Sequence, residues 1–106
     1  MIEDLTPHDV AGRLSSDRPP LLIDVREDWE VETASIDESI HIRMDDIPER
    51  HGELPNDRDL VTVCHHGVRS AAVAKWLAQN GHARVTNLQG GIDAWAREVD
   101  QTVPRY

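Results

Sequence analysis

An α/β fold follows from three observations on this chain of 106 residues. Apolar runs of strand length recur, at Leu21-Leu22-Ile23-Asp24-Val25, Leu60-Val61-Thr62-Val63 and Arg84-Val85-Thr86-Asn87-Leu88. Segments of helical character alternate with them, clearest in the alanine-rich stretch Ser70–Asn80 and in Ile92, Trp95, Ala96 and Val99, spaced i, i+3, i+4, i+7. No internal repeat, low-complexity segment or linker interrupts the alternation, and the length suits one core, so residues 1–106 read as a single domain.

Each element has its own signals. Met1 to Leu5 adds an edge strand. Thr6-Pro7-His8-Asp9 offers a hydroxyl at the N-cap and proline at the first helical position, which opens a short helix through Leu14. Pro19-Pro20 ends the connection before the Leu21–Val25 strand. Ile40-His41-Ile42 makes a brief second strand, Asp45–Arg50 a short helix, Leu60–Val63 the third strand and Arg84–Leu88 the fourth. Gly81 stops the Ser70–Asn80 helix, and Pro104 stops the last one. Trp29, Trp76 and Trp95 fall on helical patterns and read as core or near-core rings in a chain without Phe. The run Glu27-Asp28-Trp29-Glu30-Val31-Glu32 reads as a solvated acidic helix face or as a docking surface for a basic acceptor.

Composition excludes several classes. A net charge of -9 without a basic cluster argues against a nucleic-acid partner. No run approaches membrane-spanning length, and Met1-Ile2-Glu3-Asp4-Leu5 has neither a basic start nor an apolar core, so neither a membrane role nor export is expected. The single cysteine, Cys64, excludes an intramolecular disulfide and leaves no resolving thiol; kept reduced, it points to the cytoplasm. Leu60 to Ile92 contains no Asp or Glu but holds Arg69, Lys75 and Arg84, a +3 segment in a chain whose remainder is -12. Either an anionic substrate is served by this zone, or the segment is interior and poor in charge for packing reasons.

The stretch Cys64-His65-His66-Gly67-Val68-Arg69-Ser70 carries the chemistry. It runs from a strand's carboxyl end into a helix N-terminus, where backbone N–H groups and the positive end of the helix dipole stabilise a thiolate or a bound anion. Cys64 is thus a candidate nucleophile. Arg69 brings a planar fork of donors that suits a sulfonate, phosphate or arsenate group. Gly67 permits a tight loop close to the sulfur.

Three motifs together resemble the rhodanese-like domains: Leu22-Ile23-Asp24-Val25-Arg26-Glu27, the Cys64–Arg69 loop, and Leu88-Gln89-Gly90-Gly91-Ile92-Asp93-Ala94-Trp95, in the family's order over nearly the whole chain. The resemblance implies a three-layer fold, a small, mostly parallel sheet with helices on both faces. It implies a sulfurtransferase in which Cys64 takes sulfane sulfur from thiosulfate or a persulfide donor and passes it to cyanide, a thiol or a sulfur-carrier protein. Arg69, His65, His66, Gly67, Val68 and Ser70 would then surround the substrate, with no cofactor. Four residues separate Cys64 from Arg69, the family's sulfurtransferase spacing. Phosphatases and arsenate reductases of the same fold use five, which would put their arginine at Ser70. A non-catalytic binding module is the alternative of a different class. The tail from Gly90 to Tyr106 is similar to rhodanese domains fused to enzymes that activate sulfur carriers.

Other residues have structural readings. His65 and His66 do not suggest a metal site, because adjacent side chains diverge; their backbone lines the loop, or one of them titrates beside the anion. Ser70 either donates to the Cys64 sulfur or caps the helix. Asp24 and Arg26 pair to orient the turn after their strand, and Gly90-Gly91 supplies a turn. Ser35-Ile36-Asp37-Glu38-Ser39 departs from the family's His-Ile-Pro-Gly-Ala-like turn, and Glu38 would meet a steric penalty at positive φ, so a different path is expected there.

Overall fold

A computed structural model describes residues 2–106. Its sheet is five-stranded and parallel throughout, in the order β1-β5-β4-β2-β3: β1 Asp4–Leu5, β2 Leu21–Asp24, β3 Ile40–His41, β4 Leu60–Val63 and β5 Val85–Leu88. Met1, at the start of the expected edge strand, lies outside the described residues. The helices are α1 Pro7–Leu14, α2 Asp28–Thr33, α3 Ile47–Arg50, α4 Val68–Gln79 and α5 Gly91–Glu98. Two 3-10 turns, Met44–Asp46 and His51–Glu53, flank α3, so the expected Asp45–Arg50 helix is split between the first turn and α3, and the second turn follows beyond it. Among the described residues, no helix is long and apolar enough to cross a membrane.

Strand alternation splits the core in two. Leu22, Val61, Val63 and Leu88 turn to one face, against Val10 of α1 and Ile92, Trp95 and Ala96 of α5. Ile23, Leu60 and Val85 turn to the other, against Ile47 of α3 and Val73, Ala74 and Leu77 of α4. The central strands β2 and β4 are in register from Leu21 opposite Leu60 to Asp24 opposite Val63. Each fully buried Leu, Ile or Val contributes roughly 1.5–3 kcal/mol, and both faces are covered, as an all-parallel sheet requires.

α1 matches its signals: Thr6 accepts from the Asp9 amide at 3.1 Å while Asp9 accepts from the Thr6 amide, a complete capping box with Pro7 next in line. Elsewhere the boundaries differ from expectation. α4 begins at Val68 rather than Ser70, because Gly67 at φ 96° makes the entering turn. α5 ends at Glu98, well before Pro104, so the proline does not stop it. Glu38 takes φ 68°, so the turn meets the steric penalty that a different path was expected to avoid.

The tryptophans divide. Trp95 is buried and Trp76 packs at the edge of the α4-side core, but Trp29 is 60% exposed, contrary to the expected near-core ring. α2 is only six residues long and gives its inward side to Glu30 instead. The acidic run is therefore not a uniformly solvated face, since its central carboxylate is buried.

Candidate active site

Cys64 follows β4 and continues its alternation. Leu60, Thr62 and Cys64 share the face toward α4, which buries the thiol at 1% exposure against the start of that helix. Its Sγ accepts from the Gly67 amide at 3.1 Å and lies 3.2 Å from the Ser70 hydroxyl. Gly67 has φ 96°, and a Cβ there would stand 3.1 Å from the Gly90 amide nitrogen, so a side chain would be strained in its dihedral and would press on the turn before α5. Ser70 sits within α4 and does not cap it, which resolves its two readings in favour of the sulfur contact.

A second helix N-terminus locks the loop. The Ile92 amide donates to the Cys64 carbonyl at 2.8 Å and the Asp93 amide to the His65 carbonyl at 3.1 Å, so free N–H groups of α5 hold the loop's backbone. A Cβ on Gly91 would lie 2.5 Å from the Cys64 carbonyl oxygen. Gly90-Gly91 is thus more than a turn: it lets α5 touch the cysteine loop.

Asn87, which the sequence reading missed, organises the buried side of the site. Its Oδ1 accepts from Ser70 at 2.5 Å, and its amide nitrogen donates to the Gly67 carbonyl at 3.1 Å and to Asp4 at 3.0 Å. The available signal was an amide placed inside a strand of a sheet covered on both faces, where it must find partners; the structure buries it to 2% exposure.

The structure changes the picture of Arg69. Its guanidinium makes two bonds to Glu30, Nη1 to Oε1 at 2.6 Å and Nη2 to Oε2 at 2.8 Å. Glu30 also accepts from the Tyr106 hydroxyl at 2.7 Å and the Glu27 amide at 3.1 Å. The Arg69 pairing, helped by Tyr106 and Glu27 and opposed by burial, lowers its carboxyl to about 2, while Arg69 is raised by the same pair. Arg84 pairs with Asp59 at 2.9 Å, and Lys75 is exposed on α4. Two of the three cations of the Leu60–Ile92 segment are therefore neutralised by acids from outside it, and the segment does not form the free positive zone its composition suggested.

Asp24 and Arg26 do pair, at 2.7 Å and fully buried. Arg26 further donates to the Ala34 carbonyl at 2.6 Å and to the Tyr106 hydroxyl at 2.8 Å, joining β2, α2 and the tail. The Tyr106 ring stacks on His65 with centroids 3.9 Å apart. His65 and His66 stack on each other at 3.9 Å, so these adjacent side chains do not diverge as expected. Burial, and then the neighbouring His66, lower the pKa of His65 and favour its neutral ring. Ligand atoms of His65, His66 and Asp93 lie within 4.8 Å of one another, but Asp93 is already shared by Arg97 at 3.2 Å and Arg105 at 3.0 Å, which compete with a cation. His66 is exposed, and the Val68 side chain is 78% exposed, so only its backbone faces the loop.

Comparison with known proteins agrees with this geometry. The sequence profile of the rhodanese-like domain matches residues 6–98. A protein of Allochromatium vinosum named sulfurtransferase is 38% identical over 97 residues, 92% of this chain and 91% of that one. The protein named probable adenylyltransferase/sulfurtransferase MoeZ of Mycobacterium tuberculosis is 36% identical over 104 residues, 96% of this chain and 26% of that longer one. The crystal structure of a rhodanese-like domain protein from Staphylococcus aureus superposes with a TM-score of 0.85 at 30% identity, covering 99% of each chain. With its five-stranded parallel sheet, its cysteine loop at the end of the central strand and these matches along its length, the chain belongs to the family of rhodanese-like domains.

Proposed function

We propose that the protein is a sulfurtransferase in which Cys64 carries the transferred sulfur as a persulfide. The observation that supports this most is the sulfur itself: the chain's single thiol, held by the Gly67 amide and the Ser70 hydroxyl at 3.1 and 3.2 Å where two helix N-termini converge. The names of its relatives support sulfur transfer in general.

In the proposed cycle the Cys64 thiolate attacks the outer sulfur of thiosulfate or of a persulfide. A new S–S bond forms, the donor's S–S bond breaks, and sulfite or a thiolate leaves with the electron pair. The Gly67 and Ser70 donors then face the sulfur that gains or loses charge. With no second cysteine in the chain, the persulfide is discharged by an external nucleophile: cyanide, a thiol or a sulfur-carrier protein. The similarity of the tail to rhodanese domains fused to enzymes that activate sulfur carriers favours a carrier among the acceptors. The spacing of Arg69 and the presence of Ser70 at the next position argue against a phosphatase or arsenate reductase. A thiol of this kind suits a reducing compartment, and we place the reaction in the cytoplasm as part of sulfur metabolism.

The test is intact-protein mass after incubation with thiosulfate and, separately, with an organic persulfide. One added sulfur that cyanide removes is expected on the wild type and not on Cys64→Ser, whose fold should be unchanged. No adduct from either donor would favour the non-catalytic binding module instead.

A further inference from the structure

We propose that Glu30 sets the choice of sulfur donor by occupying the fork of Arg69, and that the donor is an organic persulfide without an oxyanion group rather than thiosulfate. This rests on sulfur transfer at Cys64.

Arg69 is the only Lys or Arg in the Cys64–Ser70 loop, and both its terminal nitrogens are bonded to Glu30. The pair fills the end-on fork between the two terminal nitrogens and neutralises the guanidinium charge, leaving the Nε–H and outer N–H groups on a cation that no longer offers net charge. The carboxylate cannot easily swing aside. Glu30 is 3% exposed, and its two oxygens are held from the other side by the Glu27 amide at 3.1 Å and the Tyr106 hydroxyl at 2.7 Å. Tyr106 is fixed in turn by Arg26 at 2.8 Å and by its stack on His65.

The nearest further charges do not replace the lost cation. Arg26 is spent on Asp24, and Arg97 and Arg105 share Asp93. The neutral form favoured for His65 adds no charge. A sulfonate group would therefore have to displace a buried carboxylate from Arg69, or bind the remaining N–H groups of a guanidinium already neutralised by that carboxylate, and either route is unfavourable for a dianion.

The two donors differ in what the site must hold. Thiosulfate enters as a dianion: Cys64–S⁻ and S–SO₃²⁻ give Cys64–S–S⁻ and SO₃²⁻, so two negative charges arrive and two depart beside Glu30. An organic persulfide needs no such site: Cys64–S⁻ and R–S–SH give Cys64–S–SH and R–S⁻. One S–S bond forms and one breaks in both cases, and no outside oxidant or reductant is required.

The experiment measures formation of the cyanide-labile Cys64 persulfide with thiosulfate and with benzyl persulfide, which has no oxyanion group, in wild type, Glu30→Gln, Arg69→Gln and the double variant. Wild type is expected to use benzyl persulfide with a kcat/KM at least about tenfold higher than for thiosulfate. Glu30→Gln keeps the side-chain shape and removes the charge, and should lower the thiosulfate KM by roughly fivefold or more while changing the persulfide KM by less than about twofold. In the Arg69→Gln background the same substitution should leave the thiosulfate KM unchanged, which a merely structural role of Glu30 would not produce. A persulfide on Cys64 combined with equal use of both donors, or with an unaltered thiosulfate KM in Glu30→Gln, overturns this inference and leaves sulfur transfer standing. Absence of Cys64 persulfide from both donors overturns sulfur transfer and the inference with it. Should Glu30→Gln unfold, the wild-type donor ratio alone decides between the first two results.

Discussion

Ser70 carries one hydroxyl proton and has two acceptors within reach, Cys64 Sγ at 3.2 Å and Asn87 Oδ1 at 2.5 Å. Toward a thiol, the proton belongs on Asn87; toward a thiolate, it can turn to the sulfur, because hydrogen bonds to ions are the stronger ones. Asn87 is kept in place meanwhile by Gly67 and Asp4. Ser70 therefore supplies its bond when charge appears on sulfur, and does so without moving the backbone. Ser70→Ala removes the donor from both acceptors and leaves the buried Asn87 oxygen with only the Thr62 hydroxyl at 3.3 Å, which costs about 1 kcal/mol of stability. Its rate of Cys64 sulfur loading should fall by roughly tenfold or more, measured against wild type by quenched-flow mass spectrometry. An unchanged rate in a variant that has lost stability would reduce Ser70 to a packing residue. None of this was legible beyond Ser70 itself. Its two candidate roles could be written from the sequence, but the second acceptor that competes for its proton, Asn87, comes from a strand 17 residues away.

Among the elements, the start of α1 and the strand Leu60–Val63 matched their local signals, whereas α2, governed by distant partners, did not. Thr6, Pro7 and Asp9 specify the start of α1 within four positions, and the strand Leu60–Val63 follows from four consecutive apolar or β-branched residues. α2 is the opposite case. Its acidic sequence reads as a solvated face because nothing nearby reveals that Glu30 will meet Arg69 across 39 residues and Tyr106 across 76. The start of α5 is intermediate: Gly90-Gly91 marks a turn from sequence alone, while its contact with the cysteine loop exists only in the fold. Two glycine substitutions separate these situations. Gly91→Ala places a Cβ against the Cys64 carbonyl at a residue with φ 63°, and should destabilise by at least about 2 kcal/mol. Gly12→Ala lies within α1 with open space around its Cβ, and should stabilise by about 0.5–1 kcal/mol. Urea unfolding of the two variants measures both, and opposite signs are the expected result. Equal effects would mean that the α5 contact carries no strain.

Across the whole molecule, the parallel sheet collects the carboxyl ends of β2, β3 and β4 at one edge, and the buried charges gather there. Asp24, Arg26 and Glu30 are all nearly inaccessible, and with Arg69 and Tyr106 they form one connected network beside the cysteine loop. Stability depends on pH in two stages, the first at histidines outside this network and the second within it. The pKa values of His65 and His82 are lowered by burial, so the unfolded chain binds protons more readily. Their contribution to stability is present above the ordinary histidine value of 6.5 and is lost as pH falls below it. Glu30 acts later. Its folded carboxyl is held at about 2 against an ordinary 4.5, so its contribution is complete above about 4.5 and is lost progressively as pH falls toward 2. Because Arg69 keeps about a third of its surface in solvent and is partly screened, that contribution is about 2 kcal/mol rather than the full linkage value. Urea unfolding of wild type and Glu30→Gln at pH 7, 5 and 3 separates the stages. Both proteins should lose stability alike between pH 7 and 5, where the histidines titrate. Between pH 5 and 3 the wild type should lose about 1–2 kcal/mol more than the variant, because only it has a depressed carboxyl to protonate. Parallel curves down to pH 3 would show that Glu30 is not held by Arg69 in solution, and the buried network would then have to derive its order from Asp24 and Arg26 alone.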